Sequence, residues 1–179
     1  MKTLYIVRHC SATGQSPEAE LTKTGSQQAE TLASFFQNIE ISHIISSPFT
    51  RAQQSILPTA QQKNLSLLVD RRLSERILST SDLPNWLEIL EESFEDLDLK
   101  HAGGESSTEA TTRAIEVLDV APNHSILVTH GNLLSLILKH FDDSIGFNEW
   151  KSLSNPDVYT VTIGGQSSTI THSWKKGTH

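Results

Sequence analysis

The sequence predicts an α/β fold with a mainly parallel central sheet and an antiparallel strand at one edge. Short β-rich runs alternate with amphipathic helical patterns along the 179 residues, and this alternation is typical of βαβ units. Near the C-terminus two β-rich runs flank a Gly164-Gly165-Gln166 turn, which indicates a hairpin. A chain of this length can bury the core of one domain, so we expect a single domain over residues 1–179.

Six segments have the composition of strands. They are residues 3–8, 42–46, 65–69, 125–129, 157–163 and 169–174. The last two form the predicted hairpin, so they are expected to run antiparallel to each other. One of them therefore supplies the antiparallel member at the edge of an otherwise parallel sheet.

Five helices are predicted between and after these strands. The first starts after Thr22 or Thr24, with a buried stripe of Ala29, Leu32, Ala33 and Phe36 at i, i+3, i+4 and i+7. The second follows Pro48, which suits a first turn, and Pro58 is expected to end or kink it. The third is expected to be capped by Asp82, with inward-facing Leu83, Trp86, Leu87, Leu90, Phe94 and Leu97.

The last two predicted helices carry clear start signals. Ser106-Ser107-Thr108-Glu109 fits a capping box, and it opens a fourth helix with Ala110, Ala114, Val117 and Leu118 inward. The fifth starts at Gly131 and is apolar almost all round, so we expect it to be buried.

Composition and charge exclude several classes of partner. The formal net charge of −7 argues against nucleic acid, because a protein that binds the phosphate backbone needs a basic face. It does not argue against a phosphorylated small molecule, since a pocket can be locally positive on an acidic protein. No apolar run is long enough to span a bilayer, so no membrane partner is expected.

The expected compartment is the cytoplasm. Residues 2–7 precede Arg8 without the apolar region of a signal peptide, and the single cysteine, Cys10, excludes an internal disulfide. Acidic residues concentrate in 88–98, which indicates a solvated helix face or, as the alternative, an acidic partner site. The sequence leaves the oligomeric state open.

Three polar dipeptides lie where predicted strands end. They are Arg8-His9, Ser47-Pro48 and His130-Gly131. Because the carboxyl ends of parallel strands meet at one edge of a sheet, where ligands bind, we expect these segments to converge there.

The converging residue types suit attack on a phosphate monoester, which needs a nucleophile, charge neutralisation and a proton for the leaving oxygen. A neutral His9 is a capable nucleophile, and the phosphohistidine that it forms divides one difficult displacement into two easier ones. Glu75 is the candidate acid, which then takes a proton from water as a carboxylate. The candidate phosphate-binding groups are the Arg8 and Arg51 side chains, a protonated His130, the Gly131 and Asn132 amides and the Gln15 side chain.

The ordered set of motifs resembles the histidine phosphatase superfamily, in its phosphoglycerate mutase-like group. The similar segments are Arg8-His9, Leu21-Thr22-Lys23-Thr24-Gly25, Ser46-Ser47-Pro48-Phe49-Thr50-Arg51-Ala52, Leu73-Ser74-Glu75, Gly103-Gly104-Glu105-Ser106 and Val128-Thr129-His130-Gly131-Asn132. The resemblance implies a three-layer α/β/α sandwich and a reaction that needs neither metal nor cofactor. It also implies that His9 is the nucleophile, Glu75 is the proton donor, and Arg8, Arg51 and His130 complete the phosphate pocket.

Two positions depart from the family pattern. Cys10 stands where the family usually has glycine, and it is either a tolerated small residue or a redox-sensitive brake on the site. Gln15 stands where many members have asparagine, so its amide is on a longer arm.

Other phosphatase chemistries fit the sequence less well. A cysteine-nucleophile loop needs an arginine six positions after Cys10, where Ser16 stands. The eight histidines show no HExxH or close His-x-His spacing, which disfavours a metal phosphatase.

Within the family, the resemblance implies a phosphatase, with a phosphoglycerate mutase-type phosphotransferase as the main alternative. Classical mutases have insertions and a C-terminal tail that cover the site, whereas only residues 79–102 are expected to form a helical cap here and the chain ends soon after its last strand. An open site favours water as the acceptor. A protein-phosphohistidine phosphatase is a further alternative, although Gly103-Gly104-Glu105-Ser106 points to the mutase-like branch. A regulatory protein that binds phosphoryl groups without turnover would be expected to lack His9 or Glu75, and both are present.

Overall fold

The computed structural model describes residues 1–175. The expectation of an open site depended in part on the short C-terminal segment. Residues 176–179 of that segment lie outside the described residues. Among residues 1–175, no helix is long and apolar enough to cross a membrane.

A six-stranded sheet with the strand order β3-β2-β4-β1-β5-β6 forms the centre of the fold. The strands are β1 (Lys2–Arg8), β2 (His43–Ser46), β3 (Leu67–Val69), β4 (Ser125–Thr129), β5 (Asp157–Ile163) and β6 (Ser168–His172). The first four are parallel, and β5 pairs antiparallel with both β1 and β6. The predicted mainly parallel sheet is therefore confirmed, with the antiparallel strand one position inside the edge.

Two strand boundaries differ from the prediction by two residues, and the others differ by at most one. β3 has three residues and begins at Leu67, because Leu65 is bonded to the end of the preceding helix. β6 ends at His172, and Trp174 leaves the sheet to pack on Phe35 with ring centroids 5.4 Å apart. Burying the large indole against a helix outweighs continuing a ladder on an edge strand.

Helices cover both faces of the sheet, so the implied three-layer α/β/α architecture is confirmed. The helices are α1 (Lys23–Phe36), α2 (Thr50–Lys63), α3 (Trp86–Glu95), α4 (Ser107–Val120), α5 (Gly131–Phe141) and α6 (Phe147–Ser152). Val7 packs with the α1 and α2 core, whereas its neighbour Ile6 packs with the α4 and α5 core. Successive strand residues point to opposite faces, which is how β1 contributes to both layers.

The two helices on the first face match the prediction, except that the helix end, one of the two outcomes expected at Pro58, does not occur. Thr22 caps α1 by accepting a hydrogen bond from the Gly25 amide at 3.0 Å, and the predicted stripe is buried. Pro58 does not end α2, which continues to Lys63 and closes at Asn64 in the left-handed conformation. Thr59 and Ala60, just beyond the proline, are buried, so packing holds the last turn in place despite the missing N–H.

The start of α3 was predicted incorrectly. The helix begins at Trp86, and Asp82 is exposed and does not cap it. Pro84 disfavours helical backbone at Leu83, so a helix cannot run from Asp82 through Leu83. The later start changes the buried stripe to Ile89, Leu90, Ser93 and Phe94, and leaves Trp86, Leu87 and Leu97 exposed.

The helices on the second face follow the prediction closely. Ser106 caps α4 by accepting from the Glu109 amide at 3.0 Å, although the Glu109 carboxylate pairs with Lys100 rather than completing the box. The inward residues of α4 are buried, and α5 is buried along most of its length. The sequence analysis missed α6, which has six residues and no buried side chain to create a periodic pattern.

Candidate active site

The carboxyl ends of β1, β2 and β4 bring the predicted residues together at one edge of the sheet. Arg8 is in register with Thr129, and Ser46 is in register with Val128. The residues that follow these strands are therefore neighbours in space. The rings of His9 and His130 lie 5.1 Å apart between centroids.

His9 is held in one tautomer by its backbone neighbour. Its Nδ1 lies 2.7 Å from the carbonyl oxygen of Cys10, which can only accept, so Nδ1 carries the proton. The lone pair is then on Nε2, which accepts a hydrogen bond from Nε of Arg51 at 3.3 Å. The carbonyl of His9 is fixed in turn by the Asn155 side-chain amide at 2.9 Å. This arrangement presents Nε2 as the nucleophilic atom.

The surroundings keep His9 neutral. Its pKa is lowered to about 4, chiefly by burial and in addition by the positive charges of Arg51 and Arg8. The hydrogen bond to the Cys10 carbonyl opposes this shift without cancelling it. At neutral pH the imidazole therefore has a free lone pair beside two guanidinium groups.

Arg51 is the largest fully buried side chain, and its guanidinium is held from three sides. Nη1 donates to the carbonyl oxygens of Ser16 at 2.8 Å and Gln15 at 3.2 Å, and the group lies over the Phe49 ring at 5.0 Å. The first loop thus contributes backbone carbonyls that aim Arg51 at His9. Gln15 itself is exposed and contacts Arg51 through its carbonyl, and the binding of phosphate by its side-chain amide stays a prediction.

The Arg8 side chain passes the N-terminus of α5, where Gly131 leaves room for it. Its Nη1 donates to the carbonyls of Leu153 at 3.2 Å and Ser154 at 3.4 Å. A Cβ atom on Gly131 would lie 2.9 Å from Nη2 of Arg8 and 3.0 Å from its Cζ, which is too close. Among the described residues, the buried Nε of Arg8 has no hydrogen-bond partner. It is therefore a donor available to a bound anion.

His130 is buried between His9 and Phe49, and its protonation differs from the sequence expectation. Its Nε2 lies 2.8 Å from Oγ of Ser47, and its buried Nδ1 has no partner among the described residues. Burial lowers its pKa well below the ordinary value, and the positive charges of Arg51 and Arg8 add to this effect. His130 is thus neutral in the site as it stands. A cationic His130 requires an anion beside the ring, since an opposite charge raises an imidazole pKa.

Glu75 occupies the N-terminus of α5, which was predicted to bind phosphate directly. Its Oε2 accepts from the Asn132 amide at 3.1 Å, and its Oε1 accepts from the Leu133 amide at 2.9 Å and the Arg76 amide at 2.8 Å. The Asn132 amide is therefore bound to Glu75 in this structure, and its role as a phosphate ligand stays a prediction. The positive end of the helix takes the nearest carboxylate, which is supplied by the same chain.

The pKa of Glu75 is raised despite these hydrogen bonds. Burial is the largest cause and raises it, while the three backbone N–H donors and the charge of Arg8 lower it in part. A carboxyl group with a raised pKa retains its proton to higher pH, which suits a proton donor.

Family comparison identifies this arrangement. The model of the histidine phosphatase superfamily (branch 1) matches residues 4–174. The chain belongs to the histidine phosphatase superfamily. The probable phosphoglycerate mutase GpmB of Yersinia pestis is 30% identical and aligns with 77% of this chain and 74% of its own length.

Solved structures share the histidine phosphatase fold at low sequence identity. The phosphoserine phosphatase of Entamoeba histolytica, in complex with 3-phosphoglyceric acid, superposes with a TM-score of 0.78 and 18% identity, covering 98% of both chains. The mycobacterial glucosyl-3-phosphoglycerate phosphatase superposes with a TM-score of 0.74 and 19% identity, covering 96% of this chain and 97% of its own.

Cys10, which directly follows His9, lies in the hydrophobic core. Cys10 is fully buried in the core with Ala29 and Leu32, and its amide donates to Oγ of Ser55 at 2.8 Å. Burial raises the pKa of the thiol to about 12, although the hydrogen bond to Ser55 opposes this. An inaccessible neutral thiol does not react readily, so Cys10 is a small core residue and not a redox brake.

The sequence analysis missed several residues that hold this site. Asn155 fixes the backbone of His9, and the buried carboxylate of Asp157 accepts from the Ser154 amide at 3.0 Å, behind the carbonyl that binds Arg8. Asp157 is directly opposite Arg8 in the antiparallel pair and also accepts from Nε2 of His172 at 2.6 Å. A carboxylate at the start of a strand, opposite an arginine, was the only signal in the sequence. Among residues 1–175, no group of three or more His, Cys, Asp or Glu side chains is placed to hold a metal ion.

Proposed function

We propose that this protein is a phosphomonoesterase that hydrolyses a phosphorylated small molecule through a phosphohistidine on His9. The observation that carries the proposal is the fixed tautomer of His9. Its protonated Nδ1 is bound to the Cys10 carbonyl, and its free Nε2 faces the guanidinium of Arg51. A neutral imidazole nitrogen beside a buried positive charge is suited to attack on a phosphoryl group.

In the first step, Nε2 of His9 attacks phosphorus and the bond to the leaving oxygen breaks. Glu75 transfers its proton to that oxygen, so the alcohol leaves neutral. Arg8 and Arg51 bind the equatorial oxygens, which carry the charge of the transition state. The phosphate dianion raises the pKa of His130, which then becomes the cationic donor expected from the sequence.

In the second step, water attacks phosphorus and the bond to Nε2 of His9 breaks. Glu75, now a carboxylate, takes a proton from that water, and inorganic phosphate is released. His9 returns to its neutral form with Nδ1 still bound to Cys10. The amides of Asn132 and Leu133 hold Glu75 for both proton transfers.

The small size of the proposed cap supports water as the acceptor. Residues 79–102, which we propose to act as the cap, contain α3 as their helix, with Trp86 and Leu87 exposed. Such a short cap leaves access for water. A mutase-type phosphotransferase is the second candidate, because the chain is 30% identical to a probable phosphoglycerate mutase.

The relatives suggest which substrates to test first. The two phosphatases of similar fold are named for glucosyl-3-phosphoglycerate and phosphoserine, and one is in complex with 3-phosphoglyceric acid. Each of these compounds is a phosphorylated small molecule that also bears a carboxylate. The single Cys10 is compatible with a reducing compartment, and we place the reaction in the cytoplasm as part of this proposal.

A substrate panel with excess EDTA tests the proposal. Phosphate release is measured from an aryl phosphate, phosphoserine and 3-phosphoglycerate, and formation of 2-phosphoglycerate is measured in parallel. The expected result is metal-independent hydrolysis that is lost in His9→Ala and retained in His43→Ala, a change at an exposed histidine. Turnover that vanishes with EDTA, or that persists in His9→Ala, would overturn the mechanism. Formation of 2-phosphoglycerate faster than phosphate release would replace the hydrolase by the mutase.

A further inference from the structure

The loop that carries Glu75, residues 72–77, is held between Glu105 and Arg113, two residues outside the phosphate pocket. We propose that the Glu105–Arg113 pair positions the Glu75 carboxyl for proton transfer. The Gly103-Gly104-Glu105-Ser106 motif brings this pair against the loop. This inference rests on the proposed function, because it assigns a partner to the proton donor of that reaction.

Arg113, in the middle of α4, binds the loop on the N-terminal side of Glu75. Its Nη1 donates to the carbonyls of Arg72 at 2.6 Å and Ser74 at 2.9 Å, and its Nη2 reaches the carbonyl of Glu75 at 3.4 Å. A guanidinium group is planar and its donors are fixed in direction. Binding three carbonyls of one short loop therefore fixes the path of the backbone through Glu75.

Glu105 binds the loop on the C-terminal side and locks Arg113 at the same time. Its two carboxylate oxygens accept from Nε of Arg113 at 2.6 Å and from Nη2 at 2.9 Å, which is a bidentate pair. The carboxylate also accepts from the Ile77 amide at 3.0 Å, and the Glu105 amide donates to the Ile77 carbonyl at 2.7 Å. One ion pair thus grips the chain on both sides of Glu75.

Glu105 is held in its ionised form, which pairs with the positive charge of Arg113. Burial tends to raise the pKa of Glu105, but the hydrogen bonds from Arg113 and Ile77, with the charges of Arg113 and Arg76, lower it overall. Glu105 therefore remains ionised where Glu75, with its raised pKa, can hold a proton. The two carboxyl groups have opposite surroundings, which separates a holding role from a proton-transfer role.

The glycines before Glu105 let the pair approach the loop. Gly103 has a φ of 71°, and a Cβ atom there would overlap the side chain of Thr80. A Cβ atom on Gly104 would overlap the carbonyl of Leu78. The backbone at 103–104 therefore lies directly against the chain that leaves Glu75, which only residues without side chains permit.

Arg76 connects the same pair to the carboxyl group itself. Its amide donates to Oε1 of Glu75 at 2.8 Å, and its buried guanidinium donates twice to the Glu105 carbonyl, at 3.0 Å and 3.2 Å. A displacement of Glu105 would therefore be transmitted to one of the three N–H donors that hold the Glu75 carboxyl. The Glu105–Arg113 pair is thus connected to Glu75 both through Arg76 and directly through Arg113.

The test compares substrates that depend differently on the proton donor. Glu105→Gln and Arg113→Lys are measured on a series of aryl and alkyl phosphates whose leaving alcohols span a wide pKa range, with Glu75→Gln as the reference. We expect kcat/KM to fall about tenfold or more for the least acidic leaving groups and less than about threefold for the most acidic, because only the former require protonation. Inhibition by inorganic phosphate should change by less than about threefold, since Arg8 and Arg51 remain in place.

Glu116→Gln is the matched control. It lies on the same helix as Arg113 and removes an exposed ion pair with Arg72 at 3.5 Å, without touching the loop backbone. Its kcat/KM should match that of the original protein for every leaving group. Circular dichroism and thermal unfolding establish that each variant is folded. If Arg113→Lys does not fold, the isosteric Glu105→Gln carries the test.

The outcomes separate this inference from the proposed function. The inference is supported if the loss of kcat/KM depends steeply on the leaving group in Glu75→Gln, in Glu105→Gln and in Arg113→Lys. The inference alone is overturned if folded Glu105→Gln and Arg113→Lys lose kcat/KM equally for all leaving groups while the loss in Glu75→Gln depends steeply on the leaving group. No leaving-group dependence in Glu75→Gln removes its role as proton donor, which overturns the proposed function and this inference with it.

Discussion

Nε of Arg51 donates to Nε2 of His9 at 3.3 Å, although the two residues are 42 positions apart in the chain. Arg51 lies in the first turn of α2 and His9 directly follows β1, so the contact exists only because β1 and β2 deliver their ends to one edge of the sheet. It directs a positive charge at the atom that must attack phosphorus. Loss of this guanidinium removes charge stabilisation and orientation together.

Arg51→Ala should reduce kcat/KM by about 10²–10⁴, equivalent to about 3–5 kcal/mol of transition-state stabilisation. Arg51→Lys should recover only part of this, because an ammonium group cannot bind the Ser16 carbonyl and His9 in the same fork geometry. Arg71→Ala, at an exposed arginine in the 3₁₀ turn 71–73, is the control, and its kcat/KM should be unchanged. A loss below about threefold for Arg51→Ala would place this residue outside the reaction.

Gly131→Ala should damage activity while preserving the fold. The added Cβ would lie 2.9 Å from the guanidinium of Arg8, which must move away from the pocket. We expect an increase of about tenfold in KM and in the inhibition constant of inorganic phosphate, with thermal stability nearly unchanged, since alanine favours a first helical turn. Gly165→Ala, at a turn with no atom within 4 Å of the new Cβ, is the control. Unchanged phosphate affinity in Gly131→Ala would mean that Arg8 does not bind the anion.

The plot of kcat/KM against pH should have a rising limb set by His9 and a falling limb set by Glu75. Activity should rise as the pH increases through about 4, where His9 becomes neutral. It should fall at higher pH as Glu75, whose pKa is raised by burial, loses its proton. Ionisation of the substrate phosphate is common to all variants, so the comparison of original protein with Glu75→Gln isolates the second limb. A falling limb that persists in Glu75→Gln would assign it to another group.

Stability should also fall in acid, and the sign follows from the same histidine. The pKa of His9 is about 4 in the folded protein and near 6.5 when unfolded, so the unfolded chain binds more protons between these values. The free energy of unfolding should therefore decrease as the pH is lowered from 6.5 towards 4, by about 3 kcal/mol from His9. The buried His130 acts in the same direction. Urea unfolding at several pH values should show a shallower decrease for His9→Gln, and equal slopes would contradict this origin.

Local signals in the sequence predicted much of the fold because they depend on neighbouring residues alone. The stripe of α1, the Thr22 and Ser106 caps and the strand ends at Arg8 and Thr129 are all as expected. The predictions failed where distant packing competes with local preference. The helix end that was one of two outcomes expected at Pro58 does not occur, because Thr59 and Ala60 are packed in the core, and Trp174 leaves the edge strand for a hydrophobic contact.

The site shows the same division between local and distant information. Residue types and their places at strand ends selected His9, Arg51, Glu75 and His130, and the structure brings them to one edge. The hydrogen-bond partners of the site residues could not be predicted from the sequence in the same way. The Asn132 amide donates to Glu75, and the Gln15 carbonyl accepts from Arg51, and neither contact has a signal in the sequence.

The sequence by itself determined the α/β class, the family and the chemical types gathered for phosphate, because periodicity and motif order are properties of the chain. Only the tertiary structure decided the protonation of these groups and how they are held. The pKa values of His9, Glu75 and His130 depend on burial and on charges that come from distant segments. The same holds for the Glu105–Arg113 pair, whose position against the Glu75 loop arises from the packing of α4 and the close approach at Gly103 and Gly104.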